Sequence, residues 1–256
     1  MQILMAGLPP EAFWAAIAVT LLAGFVKGAI GFAMPLIMVS AFSSFLPPEL
    51  ALAGLILPTL VTNIAQAFRQ GVGPAVASAR KYYRFLVGTV VFIVVSAQFV
   101  DVVPQQALLL ALGVLISGFV SYQLSGAKLA IRAAWRAPVE WIAGVIGGLY
   151  GGLSGIWGPP LIVYLLATGT DKQETIRAQG VVFLIGAVFL TGSHLHSGVL
   201  NATSLPFAAT LVVPAVVGLG FGYLVQDRLD QKLFRRWTQL LLLATGLNLL
   251  RRGFGL

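Results

Sequence analysis

One glycine-rich motif occurs twice in the chain, and each copy interrupts a hydrophobic run long enough to enter a lipid bilayer. The copies cover residues 24–36 and 148–161, and each ends in a Pro-Leu step. Both copies place glycines at i, i+4 and i+7, at Gly24, Gly28 and Gly31 and at Gly148, Gly152 and Gly155. Glycine and proline at this density break helices, and a membrane tolerates broken backbone only where protein buries it or it lines a cavity. A duplicated, interrupted apolar segment therefore predicts the binding site of a transporter.

The composition is that of a membrane protein. Hydrophobic residues make up 58% of the chain and charged residues 9%, which is typical of polytopic membrane proteins. The net charge of +8 is concentrated between the apolar runs, and membrane orientation explains that pattern without a nucleic-acid partner. Cysteine is absent, which excludes disulfides and thiolate metal sites. We expect a multi-pass protein of the cytoplasmic membrane, in contact with the lipid bilayer.

Eight apolar runs divide the chain, and six of them have the length of one crossing, which is about 20 residues. The runs cover residues 12–45, 49–68, 82–100, 105–124, 138–168, 177–195, 203–226 and 233–250. The first and the fifth are longer and carry the two motifs. Each of these is either one long broken crossing or two half-helices of roughly 14 to 16 residues that enter to mid-depth and return.

The basic residues favour the re-entrant alternative. If both long runs re-enter, every basic residue from Arg69 to Arg236 falls on one face, with Arg251 and Arg252 opposite and Lys27 within the membrane. If all eight runs cross, the same residues divide between the two faces. Because basic residues accumulate on the cytoplasmic side, we predict two re-entrant segments and both termini outside.

The predicted fold class is therefore an all-α polytopic membrane protein made of two inverted repeats, each a broken, re-entrant helix hairpin plus three transmembrane helices. We expect residues 1–256 to form a single transmembrane transporter domain. Repeat 1 covers about 10–124, a basic cytoplasmic linker covers about 125–137, and repeat 2 covers about 138–252. The two halves would rock around a site at mid-depth.

The acidic residues all lie at or near the ends of apolar runs. They are Glu11, Glu49, Asp101, Glu140, Asp171, Glu174, Asp227 and Asp230. A cation pathway, a carboxylate metal site or hydrolysis by paired carboxylates would need an acid at mid-depth. The membrane interior is predicted to be free of acids, which favours a small anion as the substrate.

An anion has two predicted partners in such an interior. Half-helix N-termini present free N–H groups and a partial positive charge, and glycine lets a ligand approach the backbone closely. The same glycine spacing also permits close helix packing, and this alternative stays open. Lys27 is the one basic residue in the middle of an apolar run, away from its ends, where burying a charge costs about 3 kcal/mol. The Lys27 side chain either contacts the substrate or extends so that its ammonium reaches a surface.

The predicted substrate-binding residues are the glycines of the motifs and the polar or aromatic residues near them. They are Lys27, Gly28, Gly31, Phe32, Asn63, Gln66, Gly152, Gly155, Trp157, Gly158, Arg177 and Gln179. Asn63 and Gln66 share a helix face and serve equally well as interhelical hydrogen-bond partners. Arg177 is also suited to anchor a helix at the interface, and Trp157 to plain packing. His194 and His196 fall short of a usual zinc ligand set.

With these two motifs the sequence resembles the TauE/SafE family of sulfite exporter-like membrane proteins. The resemblance covers the whole chain in length and two-half layout, and it rests on the Gly-rich motifs that lead into Pro35-Leu36 and Pro160-Leu161. The first copy departs from the family pattern, with Phe32, Ala33 and Met34 where members often carry further glycines. The resemblance implies export of sulfite, of organosulfonates such as sulfoacetate, or of other small organic anions.

We therefore predict a secondary transporter that exports a small sulfur oxyanion or organic anion by alternating access. It needs no cofactor and is not an enzyme, and a homo-oligomer is compatible with the sequence. A passive anion channel is the alternative within transport. An intramembrane enzyme is a weaker one, because Ser154 and the distant His194 make a poor nucleophile and base. A non-transporting scaffold would leave the duplicated motifs unexplained.

Overall fold

The computed structural model describes residues 6–42, 44–96, 105–126, 131–154, 157–196 and 198–255. In these residues the chain forms eleven α-helices and no strand. The helices are α1 (Pro10–Ile30), α2 (Met34–Phe42), α3 (Pro48–Phe68), α4 (Val72–Lys81), α5 (Tyr83–Ser96), α6 (Gln105–Leu124), α7 (Arg136–Ser154), α8 (Gly158–Ala167), α9 (Lys172–His196), α10 (Ser204–Arg228) and α11 (Gln231–Gly253).

Among the described residues, four helices are long and apolar enough to cross a membrane, at Pro10–Ile30, Glu49–Phe68, Lys172–His196 and Ser204–Arg228. Shorter apolar helices cover Tyr83–Ser96, Leu109–Leu124 and Gly158–Ala167. The predicted class, an all-α polytopic membrane protein, is confirmed. The inverted relation of the two repeats stays a prediction.

The chain divides into two compact units. Unit 1 comprises Met1–Ala75 and Gly180–Asp230, and unit 2 comprises Val76–Gln179 and Gln231–Leu256. Each unit therefore draws helices from both of the predicted sequence repeats, and α4 and α9 each contribute to both units. The repeat boundaries at about 10–124 and 138–252 stay a prediction about sequence halves.

The first long apolar run forms a helix hairpin in unit 1. Helix α1 ends where Gly31 adopts a left-handed conformation, with φ of +97°, which glycine reaches without steric cost. Its N–H donates to Lys27 O at 2.6 Å. One face of α2, ending at Phe42, joins Phe13 and Ala16 from the first turns of α1 in a single buried cluster. The chain therefore turns back along α1 after the break.

The second long run forms the corresponding hairpin in unit 2. The hydroxyl of Tyr164, in the second half of α8, donates to Glu140 Oε2 at 3.4 Å and to Arg136 O at 3.5 Å. Because Arg136 and Glu140 lie in the first turns of α7, α8 returns along α7.

The arms of both hairpins differ from the half-helices of similar length that the sequence suggested. They have 21 and 9 residues in the first hairpin and 19 and 10 in the second. The long arms continue through Gly24 and Gly28 in α1 and through Gly148 and Gly152 in α7.

Glycines make that packing possible in unit 1. A Cβ atom on Gly24 would lie 2.4 Å from Ala215 O, and one on Gly28 would lie 2.3 Å from Leu219 O. On the partner helix α10, a Cβ atom on Gly222 would lie 2.2 Å from Phe25 O. The backbones of α1 and α10 therefore touch along a seam that excludes any side chain larger than hydrogen.

The same device joins α5 and α7 in unit 2. A Cβ atom on Gly144 would lie 2.6 Å from Phe85 O, and one on Gly148 would lie 2.6 Å from Thr89 O. Gly88 faces them from α5, 3.2 Å from the backbone of Gly144 by the same construction. The long arm of each hairpin therefore packs on one neighbouring helix through small residues.

Candidate functional site

The end of helix α1 carries a buried lysine. Lys27 lies in the last turn of α1 with 2% of its surface exposed. Its ammonium donates to Thr62 Oγ1 at 3.0 Å and to Asn63 Oδ1. Both partners are neutral, so they satisfy hydrogen bonds of the ammonium without neutralising its charge. Its position also suits the helix dipole, because a cation is favourable near a helix C-terminus.

Helix α3 presents a polar stripe to this region. Thr62, Asn63, Gln66 and Arg69 follow one another at steps of one, three and three residues, which keeps them on one side of a helix. Asn63 donates through Nδ2 to Phe183 O at 3.0 Å, and Gln66 donates through Nε2 to Gly31 O at 3.0 Å. Both amides thus make the inter-segment hydrogen bonds that the sequence left as the alternative to substrate contact.

Two buried glutamines bind carbonyls at the end of α1. The last carbonyls of a helix lack intrahelical donors. Here Gln66 binds Gly31 O, and Gln226 from α10 donates to Gly28 O at 2.8 Å. The tip of α1 is therefore a C-terminal end whose carbonyls are bound by protein. The N-terminal helix end in this hairpin belongs to α2, which begins at Met34.

Arg69 completes the network. It donates to Gln226 Oε1, and its Nη2 lies 2.9 and 2.8 Å from the two carboxylate oxygens of Asp227. Its guanidinium also stacks on the Tyr223 ring at 3.9 Å from the centroid. The chain of contacts runs from Arg69 through Gln226 to Gly28, the residue after Lys27, so it holds the turn that bears the lysine.

Gly28, Gly31 and Phe32 are buried at the end of this hairpin arm. Gly28 faces the backbone of α10, and Gly31 makes the turn. Packing and turn formation are thus visible for both glycines, and a direct role in binding stays a prediction. Phe32 and Ala33 follow in the connection to α2, where Ala33 has φ of +77°.

The second motif places Trp157 against α7. Trp157 precedes Gly158, the first residue of α8. A Cβ atom added to Gly151 of α7 would lie 3.1 Å from the Cβ atom of Trp157. The indole Nε1 is buried without a hydrogen-bond partner in the described part of the chain. Gly152 lies on α7, whereas Gly155 lies outside the described residues.

Arg177 and Gln179 lie on α9 within unit 2. Arg177 donates through Nε to Ser78 Oγ at 2.7 Å and through Nη2 to the carboxylate of Glu174. Arg177 is thus held by an ion pair within α9 and by a hydrogen bond to α4. Gln179 is fully buried, and neither its amide oxygen nor its amide nitrogen has a hydrogen-bond partner among the described residues.

Two carboxylates are buried in unit 2. Glu140 is the fifth residue of α7 and Glu174 the third of α9, as their predicted positions at run ends imply. Their burial was not expected from the sequence. Glu140 accepts from the Phe85 N–H at 3.3 Å and lies 3.9 Å from Arg84. Local cationic partners therefore accompany both buried acids.

Metal binding finds no support in the described residues, which contain no group of three or more His, Cys, Asp and Glu side chains placed to hold an ion. His194 and His196 lie in the last turn of α9. The interpretation that they do not form a zinc site stays a prediction.

Sequence reasoning identified Lys27, Asn63 and Gln66 but missed Thr62, Arg69 and Gln226. The signal for Thr62 and Arg69 was available, because both continue the helical spacing of Asn63 and Gln66. No comparable signal marks Gln226, which lies 198 residues from its partner Gly28. Only the packing of α10 on α1 brings it there.

Comparison with known families gives one match over most of the chain. Residues 16–249 match the family model described as Sulfite exporter TauE/SafE. No curated protein and no solved structure matches the chain.

Proposed function

This chain belongs to the TauE/SafE family, and from that premise we propose that it is a secondary transporter of the cytoplasmic membrane. It exports a small anion by alternating access, from the class of sulfur oxyanions and organic anions that includes sulfite, sulfoacetate and related sulfonates. Lys27 is the centre of its anion-binding site, with Thr62 and Asn63 holding the ammonium.

The observation that carries the proposal is the buried ammonium of Lys27 with neutral partners. In the described part of unit 1, Lys27 is the only charged side chain that is buried. A lysine within an apolar helix costs about 3 kcal/mol on insertion scales, so it needs a compensating role. A substrate anion that pairs with the ammonium supplies that role.

The surrounding architecture also supports transport. Broken helices are characteristic of the binding sites of secondary transporters, and each unit contains one helix hairpin. Hydrogen bonds from Gln66 and Gln226 to the carbonyls at the end of α1 keep the broken backbone satisfied, as a membrane interior requires. The hairpin can therefore hold Lys27 in a fixed position for the anion.

Uptake of labelled sulfite and methanesulfonate into proteoliposomes tests this function. Lys27→Met keeps the length of the side chain and removes its charge, so we expect at least a tenfold loss of transport. The amount of folded protein should remain close to wild type, because an uncompensated buried charge has been removed. Lys232→Met, at an exposed position of α11, is the matched control and should transport normally.

Transport by Lys27→Met at the wild-type rate would remove Lys27 from the site. Counterflow separates a transporter from a passive channel, because only alternating access gives transient accumulation of labelled anion against an excess of unlabelled anion inside. Linear, non-saturating flux without counterflow would contradict the transporter and favour the channel.

A further inference from the structure

The hydrogen-bond donors around Lys27 limit the charge of the anion that can bind there. The ammonium has three N–H donors. Two of them go to Thr62 Oγ1 and Asn63 Oδ1, and the third has no acceptor among the described residues. One donor of a single positive charge is therefore the group that a substrate can meet.

The neighbouring polar side chains carry no charge, and each already donates one proton to a protein carbonyl. Thr62 donates its one hydroxyl proton to Pro58 O at 2.6 Å. Asn63 donates an amide proton to Phe183 O at 3.0 Å, and Gln66 donates one to Gly31 O at 3.0 Å. The oxygens of Thr62 and Asn63 face the ammonium as acceptors, so they would repel rather than bind an additional anionic oxygen.

The other charges of unit 1 cannot compensate either. Arg69 is engaged with Asp227 through two contacts, and Arg228 is exposed at the last residue of α10. Glu11 and Glu49 are exposed in the first turns of α1 and α3. The buried region around Lys27 therefore carries a formal charge of one positive unit in the described residues.

From this charge balance we propose that the site selects monoanions and rejects dianions. One anion of charge −1 neutralises the buried ammonium, and the attraction within the pair offsets part of the desolvation cost of the two ions. A dianion would leave one negative charge without a partner in a low-dielectric environment, where it is strongly disfavoured. The inference rests on the proposed function and deepens it. The expected substrates of the site are hydrogen sulfite and alkane monosulfonates. Sulfoacetate, which carries both a sulfonate and a carboxylate, is excluded.

A matched pair of ligands tests the proposal on the unaltered protein. Sulfoacetate and its methyl ester share the same sulfonate and differ by one negative charge. We expect titration calorimetry of the purified full chain in detergent, near neutral pH, to show at least tenfold tighter binding of the ester. Equal or tighter binding of sulfoacetate would overturn the selection of monoanions and leave the proposed anion site standing. Failure of both ligands and of methanesulfonate to bind would contradict the proposed function itself.

Two variants test whether the charge beside Lys27 determines binding of the ester. Asn63→Asp places a carboxylate beside Lys27 with almost no change of volume, so it should weaken binding of the ester at least tenfold. Asn201→Asp makes the same substitution at an exposed position just before α10, keeps the acceptor for the Thr203 N–H, and should change binding of the ester by less than threefold. Unchanged binding in a folded Asn63→Asp protein would overturn the charge argument. Should that variant not fold, the ligand pair on the wild-type chain still decides the matter.

Discussion

Two of the glycine-lined helix pairs, α1 with α10 in unit 1 and α7 with α5 in unit 2, are built alike but accompany opposite buried charges. In both pairs the glycines bring backbone atoms into direct contact. Near the first pair lies the buried cation Lys27 with neutral partners. At the start of α7 lies the buried anion Glu140 with Arg84 beside it. The repeated glycines therefore indicate a shared packing device, and the side chains beside them differ in chemistry.

The largest effect should come from filling the seams. Gly222→Ala would place a methyl carbon 2.2 Å from Phe25 O, and Gly144→Ala would place one 2.6 Å from Phe85 O. Because backbone atoms must move in both cases, we expect each change to lower the free energy of unfolding by about 3 kcal/mol, the upper part of the usual range for overpacking. Fluorescence-detected size-exclusion after heating in detergent measures the loss.

Two other glycines provide the controls. Gly220 on α10 and Gly118 on α6 have open space where a Cβ atom would be. Alanine at either position should leave the protein unchanged or stabilise it by up to about 1 kcal/mol, since alanine has the higher helix propensity. A harmless Gly144→Ala beside a damaging Gly222→Ala would show that the two helix pairs are not equivalent.

The next effect concerns the opposite charges. Glu140→Gln retains one oxygen as an acceptor for the Phe85 N–H. It loses the second oxygen, which accepts from the Tyr164 hydroxyl, and the attraction to Arg84, which is partly exposed. We expect the free energy of unfolding to fall by about 1 kcal/mol, the scale of one hydrogen bond or partly screened ion pair. Anion uptake into proteoliposomes should remain within twofold of wild type. Loss of uptake in a folded Glu140→Gln protein would give unit 2 an essential ionisable group and break the contrast with Lys27.

The glycine spacing and the polar residues of α3 show how far the sequence could reach. Periodicity along one segment revealed the broken runs, the isolated Lys27 and the shared face of Asn63 and Gln66. It could not reveal that Gly28 packs on Gly222, because that contact depends on which helix lies alongside. For the same reason Gln226 was missed and the burial of Glu140 was not foreseen. The position of a residue within an apolar run does not show which distant segment will pack against it. It also does not show whether the side chain will be buried.

A similar effect on stability should follow from loss of the arginine that supports unit 1. Arg69→Met removes the contacts with Asp227 and Gln226 and the stacking on Tyr223. Since the Arg69 and Asp227 side chains are 26% and 62% exposed, solvent screens the pair, and we expect a loss of about 1 kcal/mol in thermal unfolding. Arg228→Met, two helix positions from Gln226 and exposed, is the control and should change stability by less. Equal losses in both variants would show that Arg69 gives no particular support to the end of α1.

The smallest effect should come from the connection after α1, where Ala33 has φ of +77°. A non-glycine residue in this left-handed region costs roughly 1–2 kcal/mol, and glycine there recovers that strain but loses about 0.5–1 kcal/mol through its freer unfolded chain. Ala33→Gly should therefore stabilise the protein by about 0.5 kcal/mol, the difference of those two terms. Ala18→Gly, in the exposed middle of α1, should act in the opposite direction and destabilise by about 1 kcal/mol. Thermal unfolding of the two variants, measured in parallel with the wild type, shows whether each change raises or lowers stability. If both variants lose stability alike, the connection carries no backbone strain, and the departure of this first motif from the glycines usual in the family would have no structural cost.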